Sequence, residues 1–428
     1  MADTSGNVTT YYFNEQGVAI RQVDPFGRET RTEWDNNYNR LAVTDARGNT
    51  TRYEYDSRHN LISVLNPLSV RAQFTYHSQF NKVTSFTDFA GRTYFFNYND
   101  KGDLIAVQDP LGYSLLLAYN ERGQVTSVRD AKGATTRFTY DAYGNPNTVT
   151  DAMGAVTTYH YDVMGRLISR RDPRGGTYSY QYDADDNLIR ITDPIGGKTT
   201  IEYPQEGQPI AVTDPAGRVT RYEYDENLNL KALVDPLGQR IRLVSDTRGN
   251  LLELIDALGN STRYKYDALD RLIRITDALG HETQYSYDAV GNLTQVVDAL
   301  GNATKYSYDA LNRLMSVVDA QNTVTKYEYD VVGNLLAVIN GLGNRTKFEY
   351  DTKDQLIREI DPLGRVTSYE YDPVGNRIGR TDGRGWKTEY LFDPLRQLTE
   401  VRYQDGNRIR YRYDQVGNLT RMESKDSA

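Results

Sequence analysis

Apolar and polar positions alternate along this chain in short bursts separated by turn residues. Between His281 and Tyr287, the residues Thr283, Tyr285 and Tyr287 share one face at a period of two, which predicts a strand. Asp277-Ala278-Leu279-Gly280 before it reads as a turn, with Asp at the first corner and Gly at the fourth. Asp288-Ala289-Val290-Gly291 is a second turn of the same chemistry. Asn292 to Val297 form the return strand, and Asp298 opens the next turn. Four, seven, four and six residues make a two-stranded unit of 21 residues. On the return strand a strict period of two puts Leu293 and Val297 on one face and Val296 on the other. The inward face is therefore left open.

The unit recurs. Tyr264-Lys265-Tyr266-Asp267, Tyr285-Ser286-Tyr287-Asp288, Tyr306-Ser307-Tyr308-Asp309 and Tyr327-Glu328-Tyr329-Asp330 are its clearest copies. The same aspartate slot falls at Asn99, Asn120, Asp141, Asp162, Asp183, Pro204, Asp225 and Asp246, and again at Asp351, Asp372, Asp393 and Asp414. Upstream it falls at Asn14, Asp35, Asp56 and His77, with one extra residue between His77 and Asn99. Residues 1–428 thus read as a single tandem array of about twenty units. Residues 1–98 are degenerate repeats, 99–419 regular ones and 420–428 a tail. An array of this kind offers a surface or a container rather than one catalytic pocket.

Each turn residue has a physical role. The Asp carboxylate accepts a hydrogen bond from the backbone two residues on. Proline suits the second position, as in Asp109-Pro110-Leu111-Gly112, Asp235-Pro236-Leu237-Gly238 and Asp361-Pro362-Leu363-Gly364. Glycine supplies a left-handed residue, which makes a bulged hairpin and twists the sheet in one direction. Tyr38, His59 and Phe80 stand in the glycine slot of early units, and Ser69 in another. Pro204 takes an aspartate slot, and Leu243 and Ser245 take tyrosine slots. Near the end, Asp405-Gly406 suggests a tight two-residue hairpin.

The expected fold is all-β, a long curled antiparallel sheet of tandem hairpins. About forty strands at about 4.8 Å spacing span roughly 190 Å, or about 60 Å across if curled into one circuit. Open sheets rarely exceed about ten strands without curling. The two tyrosines of each motif stack in rows with their neighbours and supply most of the buried area. An exposed strand at each end offers a route to dimers.

Composition narrows the chemistry. There are 35 Tyr against 11 Phe and 2 Trp, with 34 Gly, and this balance favours strands and tight turns. The net charge of −8 and the dispersed Arg and Asp argue against nucleic acid as a partner. Cysteine is absent, so no disulfide framework or Cys-based metal site is expected. No stretch has the apolar length of a membrane span. Met1-Ala2-Asp3-Thr4 lacks a signal-peptide pattern.

The four histidines, His59, His77, His160 and His281, occupy different slots in distant units, against a triad or a metal cluster. Asp256, Asp277, Asp298 and Asp319 fall in a row along one sheet edge and are the one calcium candidate, although the turn hydrogen bond already accounts for each. Trp34 and Trp386, with outlying tyrosines, are candidate sugar platforms; the competing reading is repeat core. No catalytic, cofactor-binding or metal residue is assigned.

The motif Tyr-x-Tyr-Asp-x-x-Gly-Asn-Leu, as in Tyr285 to Leu293, Tyr327 to Leu335 and Tyr411 to Leu419, is followed by Asp-Pro-Leu-Gly. It resembles the YD repeat of Rhs proteins, of Tc toxin B and C components and of teneurins, across essentially the whole chain. The resemblance implies a spiral β-shell, or at about twenty units a partial shell; in the Rhs and Tc members the hollow shell encapsulates a C-terminal toxin, and in teneurins a similar shell serves adhesion at the cell surface. It implies a non-enzymatic scaffold, secreted or at the cell surface in its parent protein. Its expected partners are toxin cargo or neighbouring shell segments, with a carbohydrate-binding adhesion module as the alternative. The aspartyl self-cleavage segment that closes many Rhs shells has no counterpart here, and Asp361-Pro362-Leu363-Gly364 is an ordinary repeat turn. The chain reads as the repeat region of a longer parent protein, its toxin absent, or as a short stand-alone member.

Overall fold

A computed structural model describes residues 1–4, 6–204 and 207–425; the last three residues of the expected tail lie outside it. Among the described residues there are forty strands and no helix, from Thr10–Phe13 to Leu419–Lys425. Each pairing described joins strands consecutive in sequence and runs antiparallel. The all-β expectation holds.

The turns show why the sequence folds this way. The Asp288 N–H donates to the Asn292 carbonyl at 2.9 Å, and the Gly291 N–H donates to the Asp288 carbonyl at 3.3 Å. The carboxylate does more than expected. Its Oδ1 accepts the N–H groups of Val290 at 3.0 Å and Asn292 at 2.8 Å, while Oδ2 accepts the Asn292 side-chain amide at 2.9 Å. Where the fifth residue is arginine, its Nε fills that last role, as in Arg271 to Asp267 at 2.7 Å and Arg313 to Asp309 at 2.6 Å. Gly291 sits at φ 101°, in the left-handed region. Tyr38, His59 and Ser69 occupy the same region, at φ 64°, 64° and 61°.

Two expectations about turns need correction. Phe80 is not the left-handed residue of its turn; Asn81 is, at φ 55°. The extra residue lies inside this turn, where the Asn81 N–H reaches the His77 carbonyl at 3.1 Å and the His77 N–H reaches Lys82 at 2.8 Å. Asp405-Gly406 is not a two-residue hairpin. The Gly406 N–H donates to Tyr403 at 3.0 Å, and Tyr403 to Asn407 at 2.8 Å, which is the usual four-residue turn with a tyrosine at its first corner. The Asp405 carboxylate, now at the third position, accepts the Asn407 N–H at 3.0 Å and its side-chain amide at 2.8 Å.

The return strand resolves once the bulge is counted. Tyr285 pairs with Val296 and Tyr287 with Leu293, with a register shift between Ser286 and Tyr287. Thr294 is the extra residue, so a strict period of two fails. Leu293 and Val296 both join the tyrosine face, and Val297 pairs with Gln284 on the other. Thr283, Tyr285 and Tyr287 are half-buried, whereas Gln284 and Ser286 are exposed. Beside the bulge the second tyrosine closes the ladder. The Tyr287 hydroxyl donates to the Leu272 carbonyl at 2.7 Å, and Tyr308 likewise to Leu293 at 2.9 Å. Burial pushes the Tyr287 phenol above its ordinary pKa.

The opposite face carries a second device. Glu54 pairs with Arg71, Glu223 with Arg240 and Glu328 with Arg345, at 2.6, 2.6 and 2.5 Å. Each bridge spans two strands, and the small residue midway, Ser63, Ala232 or Ala337, is buried. Among the described residues the buried hydrophobic core holds only Ala and Val401, and no large side chain is fully buried.

The chain forms two compact units. One comprises Met1–Arg71, Tyr182–Arg190 and Gly197–Tyr327; the other comprises Ala72–Gln181, Ile191–Gly196 and Glu328–Ala428. Each joins an early stretch of repeats to a late one.

Two substitutions test these assignments. Leu228 is exposed at φ 62°, where a Cβ costs roughly 1–2 kcal/mol. Leu228→Gly is expected to stabilise by about 0.5–1 kcal/mol in chemical denaturation, after the glycine's greater unfolded-state entropy. Tyr308→Phe is expected to cost about 1 kcal/mol. Tyr306→Phe, which removes no comparable bond, should cost much less in the same assay.

Candidate functional site

Two rows of turns edge the sheet. One row opens at the Tyr-Asp aspartates, such as Asp288; the other opens at the return turns, such as Asp24. Val296 pairs with both Tyr285 and Thr304, and Thr304 stands two residues before Tyr306. Each hairpin is therefore staggered two residues along the strand relative to the last. A sheet that curls with such a stagger slides past its own start instead of meeting it.

Within each unit the chain has come back beside itself, return-turn row against Tyr-Asp row. In the first unit the Arg28 guanidinium donates to the Asp288 carbonyl at 3.0 Å. Arg47 donates to the Asp309 carbonyl at 2.6 Å and to Asn312 at 2.7 Å, and lies 3.6 Å from the Asp288 carboxylate. Arg248 reaches back to Asp3 at 2.7 Å, beside a Thr4–Thr247 hydroxyl pair at 3.0 Å. In the second unit Arg92 makes a two-pronged contact with Asp354 at 2.7 and 3.0 Å. Lys132 meets Asp372 at 2.9 Å, Arg174 meets Asp414 at 3.0 Å, and Lys353 meets Asp109 at 2.8 Å.

The spacing follows a rule. Asp372 lies 242 residues after Asp130, and Asp393, whose turn sends Arg396 to Asp130, lies 263 after it. These are a half-unit of about 11 residues plus eleven or twelve whole units. Each return turn therefore nests between two Tyr-Asp turns of the later pass. Asp288 lies 264 residues after Asp24, one more than the rule, because the extra residue at His77–Asn81 falls between. Within each unit the return takes eleven to twelve repeats.

Electrostatics tighten this seam. The hydrogen bonds from Arg92 hold the Asp354 carboxyl below its ordinary pKa, against the opposing effect of burial. At Asp372 burial is the largest influence and pushes the pKa up, but the bonds from Lys132 and Asn376 outweigh it and the net shift is downward. Arg92 is itself largely buried between Asp88 and Asp354, and its own pKa is raised by Asp354.

The residues singled out from sequence fall elsewhere. Asp256, Asp277 and Asp298 each spend Oδ1 on two turn N–H groups and Oδ2 on Asn260, His281 or Asn302; Asp319 spends Oδ1 on Gln321 and Thr323. Among the described residues no three His, Asp or Glu gather as a metal site. His77 stands in an aspartate slot, its Nδ1 accepting the Gln79 N–H at 3.2 Å. His59 contacts Asn39 at 3.0 Å, and His160 is exposed mid-strand. Trp34 occupies a tyrosine slot and donates its Nε1–H to the Ala19 carbonyl at 2.9 Å, as the tyrosines do fifteen residues back. Trp386 is exposed at the fifth position of its turn. Sequence reasoning missed the seam. Its signal is a cation at the third or fifth position of an early return turn.

Among the described residues no helix is long and apolar enough to cross a membrane. The teneurin YD-shell model matches residues 107–254 and 286–428, well over half the chain. The chain belongs to the teneurin YD-shell family. The RHS Repeat model matches residues 39–71, 246–282 and 266–303. A crystal structure of TcdB2-TccC3-TEV aligns with 97% of this YD-shell chain and 26% of its own, at TM-score 0.70 and 18% identity. One of TcdB2-TccC3 without its hypervariable C-terminal region aligns with 99% and 26%, at TM-score 0.70 and 16% identity. At these identities the likeness shows the fold, and the YD-shell chain spans about a quarter of the length of either. No curated protein matches the sequence.

The seam of this YD-shell chain is open to direct test. Arg92→Met strands Asp88 and Asp354 together and is expected to cost about 2–3 kcal/mol in denaturant titration. The Asp354 carboxyl titrates lower when folded than its ordinary 3.8, so its contribution is complete above that value and fades as pH falls through the folded pKa. Asp354→Asn is expected to flatten the loss of stability in that acid window while changing the slope at pH 6–8 little.

Proposed function

We propose that this chain is a stretch of encapsulating wall, a non-enzymatic scaffold that helps sequester a toxin domain until delivery. The observation that carries this reading is the turn seam, which joins successive passes of the sheet edge to edge within each unit. A wall built this way continues across passes without leaving turn edges apart. The turn aspartates spend their carboxylate oxygens on backbone and fifth-residue donors, which suits a scaffold. The partners of this reading are toxin cargo and neighbouring shell segments. Its location is extracellular or at the cell surface, in a longer parent protein.

Electron-microscopic images of the purified chain, with its mass in solution, test the reading. A hollow or C-shaped particle with a concave face is expected. A solid rod or a two-layer sandwich with no concave face overturns it.

A further inference from the structure

In the second unit the seam has one gap. The return turns at Asp88, Asp109, Asp130 and Asp172 are each tied to the later pass by an ion pair, through Arg92, Lys353, Lys132 and Arg174. Among the described residues the turn between the last two, at Asp151, has none. Its third and fifth residues are Met153 and Ala155, so it offers no cation. Asp151 Oδ1 accepts the N–H groups of Met153 and Ala155 at 2.9 Å each. The alanine side chain leaves Oδ2 without the donor that Asn292 and Arg271 supply in their turns.

A cavity of about 340 Å³ lies at this gap, between the two passes. Three polar groups in its wall are incomplete, and Asp151 is the first. Arg170 is the second. It stands between Tyr159 and Tyr178 on the tyrosine face, in the row that carries Val107, Val128 and Val149 in the three repeats before it. Its guanidinium lies 5.0 Å from the Tyr178 ring centre, its Nε is buried without an acceptor, and no described carboxylate pairs with it. Gln397, from the later pass, is the third, with its Oε1 buried and without a donor. Val149, Leu395 and Val416 add apolar wall.

The chemistry of the wall selects the ligand. A partly buried guanidinium without an acceptor calls for a carboxylate, which it can hold by two parallel hydrogen bonds. A plain anion there would also face the Asp151 carboxylate, and a plain amine would face Arg170. A molecule that carries both charges on adjacent atoms of one small frame completes all three groups, with its carboxylate on Arg170 and its ammonium on Asp151 and Gln397. A peptide terminus carries one charge or the other and leaves a group incomplete. The apolar wall and the volume suit a small molecule with a hydrocarbon side chain. We propose that this cavity binds a free α-amino acid with an apolar side chain, which takes the place of the missing seam cation. The inference goes beyond the wall reading and does not depend on it.

Isothermal titration of the full chain with L-leucine and L-phenylalanine tests this. One amino acid per chain is expected to bind. Isocaproate, which is leucine without its amine, and isoamylamine, which is leucine without its carboxylate, should each bind at least roughly tenfold more weakly, since each gives up a charge-assisted contact. Arg170→Val installs the residue that the row usually holds. It is expected to abolish binding while melting no lower than the native chain. Asparagine already serves as the first corner at Asn99, Asn120 and Asn340, so Asp151→Asn keeps the turn. It should weaken L-leucine about tenfold and strengthen isocaproate. Saturating L-leucine should raise the melting temperature of the native chain and leave that of Arg170→Val unchanged, because a ligand held by both passes stabilises the folded seam. The proposal is overturned if neither amino acid binds, as when the cavity holds only water. It is overturned equally if isocaproate binds as tightly as L-leucine, or if binding survives Arg170→Val. Should Arg170→Val melt lower than the native chain, Asp151→Asn decides the matter through the opposite responses of L-leucine and isocaproate.

Discussion

The carboxylate at the first corner of each turn carries the rest of the structure. It gathers two backbone N–H groups and a side-chain donor from the fifth residue, and so fixes a four-residue bend with its left-handed fourth residue. That bend places one extra residue on the return strand. The extra residue brings Leu293 and Val296 onto the tyrosine face, and the tyrosine hydroxyl is donated to a carbonyl beside the bulge of the preceding unit. Stagger, face and ladder closure all descend from this one local choice, repeated about twenty times. Such consistency between local preference and overall pairing is what a repeat array needs, because a lone hairpin cannot hide its own apolar face.

The same turns then do a second job. A long sheet leaves two edges of turn backbone and charged side chains. Here the two edges are complementary, and the chain docks one against the other after eleven to twelve units. Asp372 is held inside its own turn by Asn376 and across the seam by Lys132. Local and distant order share that carboxylate, and burial alone would have favoured its neutral form. The arginine–glutamate bridges on the opposite face work differently. They lie in water and add little energy each, but they arch over Ala232 and Ala337, which lets neighbouring strands carry a small residue there.

Much of the fold was legible in sequence because the determinants are local. The 21-residue step, the Asp corner, the left-handed slot and the alternation of Thr283, Tyr285 and Tyr287 all act within one hairpin. What misled was also local. Thr294 looks like any strand residue, yet as the bulge it inverts the apparent face of Val296. Phe80 yielded the left-handed position to Asn81 because one inserted residue shifted the turn, and asparagine tolerates that conformation better than a bulky aromatic. Trp34 looked like a sugar platform but does a tyrosine's work with its indole N–H. The seam was not legible, because no single unit specifies how many units make one return. That number follows from twist and stagger summed over more than twenty strands, where a small error per strand moves the meeting point by whole turns. The cations of the seam, at Arg28, Arg47, Arg92 and Lys132, look like ordinary surface residues until the partner turns are known.

The nesting of each return turn between two later turns has a consequence for inheritance. Tandem arrays gain and lose whole repeats by slippage, and the hairpin ladder would tolerate such a change, since every unit pairs with its neighbours alike. The seam would not. One unit inserted between Arg92 and Asp354 would present Arg92 with the turn at Asp330 instead, and would shift by one place every other seam pair that spans the insertion. Repeat number in this chain is therefore selected as a whole: an internal count is kept by contacts between residues far apart in sequence, while individual units remain free to diverge.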